Sequence, residues 1–220
     1  HTAVDFTYSK TCLNELVYFD PDPLVTNVNA IRTWFWDFGD GLTSTDKNAA
    51  HAYTTPGSYI VTLYVTDSMG CENSISKTIE VHALPVDNFY SGVNNCAGSE
   101  VLFDENSNTY FGYVVRWIWD FGDGNNQTVY FPVGNPNVLH TYNLPGTYPV
   151  SLTIVTSDSC SDVENQTIVI NPNPVVNFDF DIPACAGTAI QFNDLTQLNG
   201  GGSITSYLWD FGEPSSGASN

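Results

Sequence analysis

Apolar residues recur at every second position in segment after segment of this chain. Val4, Phe6 and Tyr8 alternate with polar neighbours, as do Trp34, Trp36 and Phe38, then Tyr59, Val61, Leu63 and Val65, and less strictly Ile75, Ile79 and Val81. A period of two puts alternate side chains on one face of a pleated ribbon, so each segment predicts a half-buried β-strand, and no stretch predicts a helix. Asp40-Gly41 and Asp123-Gly124 predict hairpin-type turns in which both residues take positive φ, and Pro56-Gly57 and Pro145-Gly146 predict tight turns. The longest apolar stretches are of the kind Tyr59-Ile60-Val61-Thr62-Leu63-Tyr64-Val65, strand-sized and broken by threonine. They fall far short of the roughly 20 residues that cross a bilayer as a helix, so no membrane insertion is expected.

The pattern repeats. Trp36-Asp37-Phe38-Gly39-Asp40-Gly41 returns as Trp119-Asp120-Phe121-Gly122-Asp123-Gly124 and again as Trp209-Asp210-Phe211-Gly212-Glu213-Pro214, at offsets of 83 and 90. His51-Ala52-Tyr53 matches His140-Thr141-Tyr142 at an offset of 89, as Pro56-Gly57-Ser58-Tyr59 matches Pro145-Gly146-Thr147-Tyr148 and Cys71 matches Cys160. The seven-residue step from Cys to Phe occurs three times, as Cys12/Phe19, Cys96/Phe103 and Cys185/Phe192. Residues 1–84 therefore form one repeat, 85–173 a second, and 174–220 the N-terminal half of a third. The second copy carries six extra residues in the predicted loop Asn125–Leu139, which includes Tyr130, Phe131 and Pro132. The junctions Ala83-Leu84-Pro85 and Asn171-Pro172-Asn173-Pro174 are short and stiffened by proline, which favours an extended rod. No basic-then-apolar leader stands at His1 and Ser219-Asn220 reads as mid-domain loop, so the sequence is expected to be an excerpt.

About seven short strands in each repeat is the rhythm of an immunoglobulin-like sandwich, whose third strand carries a core tryptophan. The expected fold is thus all-β, with tandem immunoglobulin-like β-sandwiches arranged end to end and Trp36, Trp119 and Trp209 at their centres. Trp-Asp-Phe-Gly-Asp-Gly, a spacer, His-x-Tyr, then Pro-Gly-x-Tyr-x-Val-x-Leu resembles the signature of the PKD (polycystic kidney disease) domain over nearly all of both complete repeats. The variant with Cys96-Ala97-Gly98 and Cys185-Ala186-Gly187 before the second strand is similar to tandem PKD repeats in large surface proteins of Bacteroidota, among them gliding-motility adhesins exported by the type IX secretion system. The third copy departs from the signature with Glu213-Pro214 in place of Asp-Gly. The resemblance implies a secreted, non-catalytic module used as a spacer, adhesive element or mechanical link. PKD modules also accompany secreted hydrolases such as collagenases and chitinases.

Charge narrows the partners. Five Lys+Arg stand against 24 Asp+Glu, a formal net charge of −19, and no basic residue follows Arg116. Such a chain lacks the cations that displace phosphate counterions, so no nucleic-acid partner is expected, and an anionic membrane surface would repel it. With 42% hydrophobic and 14% aromatic residues it has the means to bury cores.

Candidate chemistry is sparse. Asp-Phe-Gly occurs three times, but without a Gly-rich loop, a paired lysine or a His-Arg-Asp loop it is not a kinase motif. His51 and His140 sit in a repeated His-x-Tyr with no nucleophile in any motif, which predicts a hydrogen-bonding role. Oxygen-rich positions suit Ca²⁺, and some PKD modules of collagenases carry such a site. The matching positions are Asp20, Asp22, Asp87, Asn88, Asp104, Asn193 and Asp194, with a solvated acidic face as the alternative reading. Phe35, Tyr110, Phe111, Tyr113, Tyr130 and Phe131 lie outside the alternating pattern and are candidates for ligand contact or for packing against a neighbouring repeat.

Five cysteines, Cys12, Cys71, Cys96, Cys160 and Cys185, without a Cys-x-x-Cys pair predict disulfides. Pairing within repeats gives Cys12–Cys71 and Cys96–Cys160 and leaves Cys185 over. Sandwich topology points elsewhere, because the loop between strands one and two and the loop between six and seven lie at opposite poles, beyond the roughly 7 Å Cα limit of a bridge. Successive repeats set end to end would instead bring Cys12 to Cys160. Both patterns stand at this point. The expected function is a non-catalytic segment of a long secreted adhesin or filament at the cell surface, contacting neighbouring repeats and an extracellular polysaccharide or protein. The alternatives are an accessory module of a secreted degradative enzyme and a calcium-rigidified stalk.

Overall fold

In the computed structural model, residues 4–22, 31–92, 95–182, 187–200 and 203–212 are described, and none of them is helical. The alternating segments pair as strands. In the first repeat these are β1 (Phe6–Tyr8), β2 (Leu16–Pro21), β3 (Ile31–Asp37), β4 (Thr43–Ser44), β5 (Ala49–Ala52), β6 (Gly57–Asp67) and β7 (Glu72–Val81). The second repeat has β8 (Phe89–Ser91), β9 (Glu100–Glu105), β10 (Val114–Asp120), β11 (Asn126–Tyr130), β12 (Val138–Thr141), β13 (Gly146–Thr156) and β14 (Ser161–Ile170). β15 (Phe178–Phe180) and β16 (Phe192–Asp194) follow. The sheets run β1-β2-β5 and β4-β3-β6-β7, then β12-β9-β8 and β11-β10-β13-β14, then β15-β16.

By backbone contacts the chain divides into two compact units. One comprises His1–Tyr90, Phe103–Val138 and Pro149–Gln166, and the other Ser91–Leu102, Leu139–Tyr148 and Thr167–Asn220. The first unit holds the whole of the first repeat. There the inward residues of one sheet, Phe6, Val17, Phe19 and Ala49, meet Trp36, Val61, Leu63, Val65, Ile79 and Val81 of the other. This is a two-layer sandwich core, with Trp36 fully buried and packed edge-on against Phe6 at 5.2 Å. Trp119 holds the same place in the second repeat, 5.1 Å from Phe89. Tyr8 breaks the expected alternation: it is 43% exposed, because the short β1 contributes only Phe6 to the centre.

The signature residues prove to be one hydrogen-bonded corner. Asp37 Oδ1 accepts from the amide of Gly39 (2.9 Å) and Asp40 Oδ1 from that of Leu42 (3.0 Å), closing a turn. Contrary to the sequence expectation, positive φ falls on the two glycines, Gly39 (+82°) and Gly41 (+92°), and not on Asp40. Gly39 is required twice over, since a Cβ there would lie 2.6 Å from the Ile60 carbonyl. His51 stacks on Phe38 at 4.2 Å and its Nε2 meets Asp40 Oδ2 at 2.7 Å, while the Tyr53 hydroxyl donates to the Phe38 carbonyl at 3.0 Å. His51 Nε2 and the Tyr53 hydroxyl thereby both hold the turn. Tyr53→Phe leaves a buried carbonyl unpaired, and thermal or urea unfolding is expected to show a loss of about 1–2 kcal/mol.

The second-repeat insertion is not all loop. It lengthens the strand corresponding to the two-residue β4 into the five-residue β11, which pairs with β10 from Arg116↔Tyr130 to Asp120↔Asn126.

Candidate functional site

The site that the chain builds most elaborately is the joint between the first and second repeats. Cys12 lies in the β1–β2 loop, which is clamped to the end of β7. The His82 amide donates to the Thr11 carbonyl and the Leu13 amide to the His82 carbonyl, both at 2.9 Å. Thr11 Oγ1 donates to the Glu80 carbonyl at 2.5 Å, and the Asn14 amide reaches the Tyr53 carbonyl. Cys160 closes the β13–β14 turn, where its carbonyl accepts from the Thr156 amide at 2.9 Å and from Thr156 Oγ1 at 3.2 Å. The two cysteines form a disulfide with Cα atoms 5.6 Å apart, and both are buried. This replaces the within-repeat pattern: Cys71 and Cys96, the partners it required, are unbonded. Cys185 lies outside the described residues.

Two residues that the sequence did not single out, His82 and Asp158, and one that it did, Phe111, complete the joint. His82 Nδ1 lies 3.4 Å from Asp158 Oδ2 on the Cys160 turn, and Phe111 sets its edge against the His82 ring at 5.6 Å. The β9–β10 loop lies directly on that turn. The Ser157 amide donates to the Tyr113 carbonyl (2.8 Å), and a Cβ on Gly112 (φ +64°) would come within 2.4 Å of Ser157 Oγ. No spacing rule marks His82, whose counterpart in the second repeat is Asn171.

The acidic candidates do not converge. Asn48 Nδ2 donates to Asp20 Oδ1, and Asn137 Nδ2 donates to Asp104 Oδ1 at 2.5 Å. The Asp22 amide bonds the Asp5 carbonyl, and Asn88 exchanges bonds with Ser107 and Asn106. Asn193 Nδ2 donates to Asp179 Oδ1, and Asp194 Oδ1 accepts from the Thr196 amide; the Thr196 hydroxyl first, and that amide after it, hold the Asp194 carboxyl below its usual range. Among the described residues no three His, Cys, Asp or Glu side chains are grouped to hold a metal ion. The Asp20, Asp104 and Asp194 carboxylates thus take amide partners at separate corners, and among the described residues no Ca²⁺ centre is assembled. Excess EDTA is expected to leave the melting temperature within about 2 °C of its starting value, where loss of a bound ion would lower it by more.

Asp87 stands apart. Its two oxygens are buried without a hydrogen-bond partner, and desolvation, with Asp162 next in weight, pushes its carboxyl up to about 7. The Ile154 backbone offsets the shift in part, while Glu105 and Glu164 add to it. In the first repeat the matching positions are Val4, Asn73 and Ile75, where Asp87, Asp162 and Glu164 stand in the second, and Val4 and Ile75 pack on the core.

The aromatic candidates separate into two roles. Phe111 belongs to the joint. Tyr113 and Phe131 pair at 5.2 Å, and each keeps about half its surface exposed. Tyr110 and Tyr130 are exposed, and Phe35 pairs with Tyr64 on the outer face of the first repeat. In the third repeat, Phe178, Phe192, Trp209 and Phe211 line an open cleft of about 550 Å³.

Comparison with known proteins agrees with this architecture. The profile described as PKD domain matches residues 3–83 and 82–170. The chain is 37% identical over 82 residues to a microbial collagenase of Vibrio alginolyticus, covering 37% of this chain and 10% of that protein. It is 47% identical over 58 residues to the pre-pro-metalloprotease PrtV of Vibrio cholerae, covering 25% of this chain and 6% of that one. Among solved structures, it resembles the PKD1 domain of Vibrio cholerae PrtV at 30% identity and a TM-score of 0.34, covering 40% of this chain and 96% of that one. The chain thus spans a tenth or less of the length of these two curated relatives.

Proposed function

The chain belongs to the PKD domain family, and from that premise we propose that it is a non-catalytic segment of a secreted protein whose work is to hold successive sandwiches in a fixed covalent relation. In this reading the repeats 1–84, 85–173 and 174–220 give reach and stiffness to a cell-surface adhesin or filament. The observation that carries it is the Cys12–Cys160 disulfide, which joins two repeats instead of closing one. Such a bond is at home in an oxidising, extracellular setting. The candidate histidine His51 is consumed by the turn it braces, which supports a module without chemistry of its own.

A second reading has its own support. Tyr113 and Phe131 present adjacent half-exposed rings, the kind of surface that stacks on a sugar ring or an exposed peptide, and curated relatives include collagenases. As an accessory module of a secreted degradative enzyme, the segment would retain its partner domain on an insoluble polymer. Co-sedimentation with insoluble collagen, chitin and cellulose separates the two. The structural reading expects no retention above that of an inert protein. Retention that falls about tenfold in a Tyr113→Ala/Phe131→Ala double variant would favour the accessory role.

A further inference from the structure

We propose that the outer face of the β4-β3-β6-β7 sheet in the first repeat binds a single chain of an uncharged glycan, seated on the Phe35–Tyr64 ring pair. The proposal rests on the adhesin reading for its setting and deepens it by naming the chemical class of a ligand. It uses no part of the surface formed by Tyr113 and Phe131.

Two observations point to that occupant. The first is a pair of rings that the fold does not require. Phe35 of β3 and Tyr64 of β6 are direct cross-strand partners, with centroids 6.0 Å apart and planes at 54°. They are 42% and 47% exposed. In the second repeat Ile118 and Thr153 stand opposite each other in the same register, and the same four-stranded sheet forms without the rings. A cross-strand ring pair adds only modestly to a sheet, so this one is surplus to what the sandwich needs. An exposed ring offers an apolar plane, and the C–H face of a pyranose is a neutral surface that stacks on it. The tilt between the planes sets one ring beneath a sugar and the other against its edge. Such a cradle takes one chain and not the flat surface of a crystalline polymer, so the behaviour expected on insoluble chitin and cellulose is unchanged.

The second observation is what surrounds the rings. Ser74 of β7 continues the ring row. Thr33 and Thr66 are partners in the row on one side, and Thr62 and Ser76 in the row on the other, where Thr62 Oγ1 and Ser76 Oγ lie 2.9 Å apart. Rows two residues apart along a strand are separated by about 7 Å, so hydroxyls flank the rings at both ends of the cradle. A hydroxyl both donates and accepts, as the hydroxyls of a sugar do. These three rows hold no lysine or arginine, and their two carboxylates are Asp37, opposite Thr62, and Glu72, opposite Thr66. Lys77, the one cation of β7, is turned to Asp5 and the Phe6 carbonyl. A polymer bearing phosphate, sulfate or carboxylate would therefore meet Asp37 and Glu72 on a chain of net charge −19, with no cation in the rows to hold it. A second copy of this chain would bring the same repulsion. An uncharged glycan meets none of it.

The test is native affinity electrophoresis of the 220-residue chain through gels containing soluble mixed-linkage β-glucan, hydroxyethyl cellulose or galactomannan, all uncharged, with polygalacturonate as the charged comparison. At least one neutral polymer is expected to slow the chain relative to an inert marker, and polygalacturonate to leave it unslowed. A Phe35→Ile/Tyr64→Thr chain, given the residue types of the second repeat, should bind about tenfold more weakly. It should still unfold in a cooperative transition, because the second repeat folds with those residues. Thr62→Val/Ser76→Ala should weaken binding several-fold with the rings in place, and Tyr113→Ala/Phe131→Ala should bind as the parent chain does. Unchanged mobility in all three neutral polymers would overturn the proposal. So would retardation that survives Phe35→Ile/Tyr64→Thr, retardation indifferent to the hydroxyl pair, or equal retardation by polygalacturonate. Peptide mapping of the same sample reports Cys12–Cys160, so absence of that link marks failure of the stapled adhesin reading, whereas its presence in an unretarded chain marks failure of this inference alone.

Discussion

Replacing Cys12 with serine is expected to cost the chain about 2–4 kcal/mol and to separate the unfolding of the first and second repeats. The disulfide spans 148 residues of sequence. Closing a loop of that length removes enough freedom from the unfolded chain to supply about 5 kcal/mol at the chain-entropy bound, of which real proteins realise part. What remains after the bond is lost is a joint held by the His82–Asp158 contact and the edge of Phe111, both partly exposed and each worth little. Calorimetry should therefore show one transition broaden or split in Cys12→Ser and in Cys160→Ser, with no further change in the double variant. A double variant clearly worse than either single would mean that the two cysteines stabilise separately and not through a shared bond.

Asp87→Val is expected to stabilise the second repeat by an amount that grows as the pH rises from about 4 to 7 and is full above neutral pH. The Asp87 carboxyl sits at about 7 in the folded chain against 3.8 for an ordinary aspartate. Below pH 4 the group is protonated in both folded and unfolded states and contributes no pH dependence. As the pH rises toward 7 the unfolded chain gives up its proton while the folded chain retains it, so stability falls across that window and levels off above it. The gap corresponds to about 4 kcal/mol before solvent screening, and on the order of 2 kcal/mol for a partly buried group. Asp162 and Glu164 from β14, and Glu105 from β9, face it with like charge, and no cation is among the groups that shift it. Val is the residue that the first repeat places at the equivalent position. The gain should appear at pH 8 and vanish at pH 4, measured by urea unfolding. A gain of equal size at both pH values would show that packing, not charge, is responsible.

The strand segments, the all-β class and the buried Trp36 and Trp119 were legible in the sequence because alternation is a local signal that tertiary contacts reinforce. Trp36 and Trp119 fill the centre, as their place in the third strand implies. Choosing between the two disulfide patterns was not a matter of spacing, since both pair one loop cysteine with one turn cysteine. It depended on which poles meet, a property of the assembled sheets. The joint residues His82, Asp158 and Gly112 carry no motif, and for Phe111 the sequence leaves ligand contact and packing against a neighbouring repeat both standing until its edge is seen against His82. Asp87 could have been suspected by aligning the repeats, where a carboxylate replaces Val4, but its orphaned oxygens show only in the packed structure. The seven oxygen-bearing positions looked like one resource in the sequence, and folding distributes them among separate turns.

Non-reducing peptide mapping of the full-length protein in its native oxidation state tests the covalent joint most directly. A peptide joining Cys12 to Cys160 is the predicted result, and it establishes that successive repeats are stapled to each other. Peptides joining Cys12 to Cys71 and Cys96 to Cys160 would contradict it and leave each sandwich independently closed.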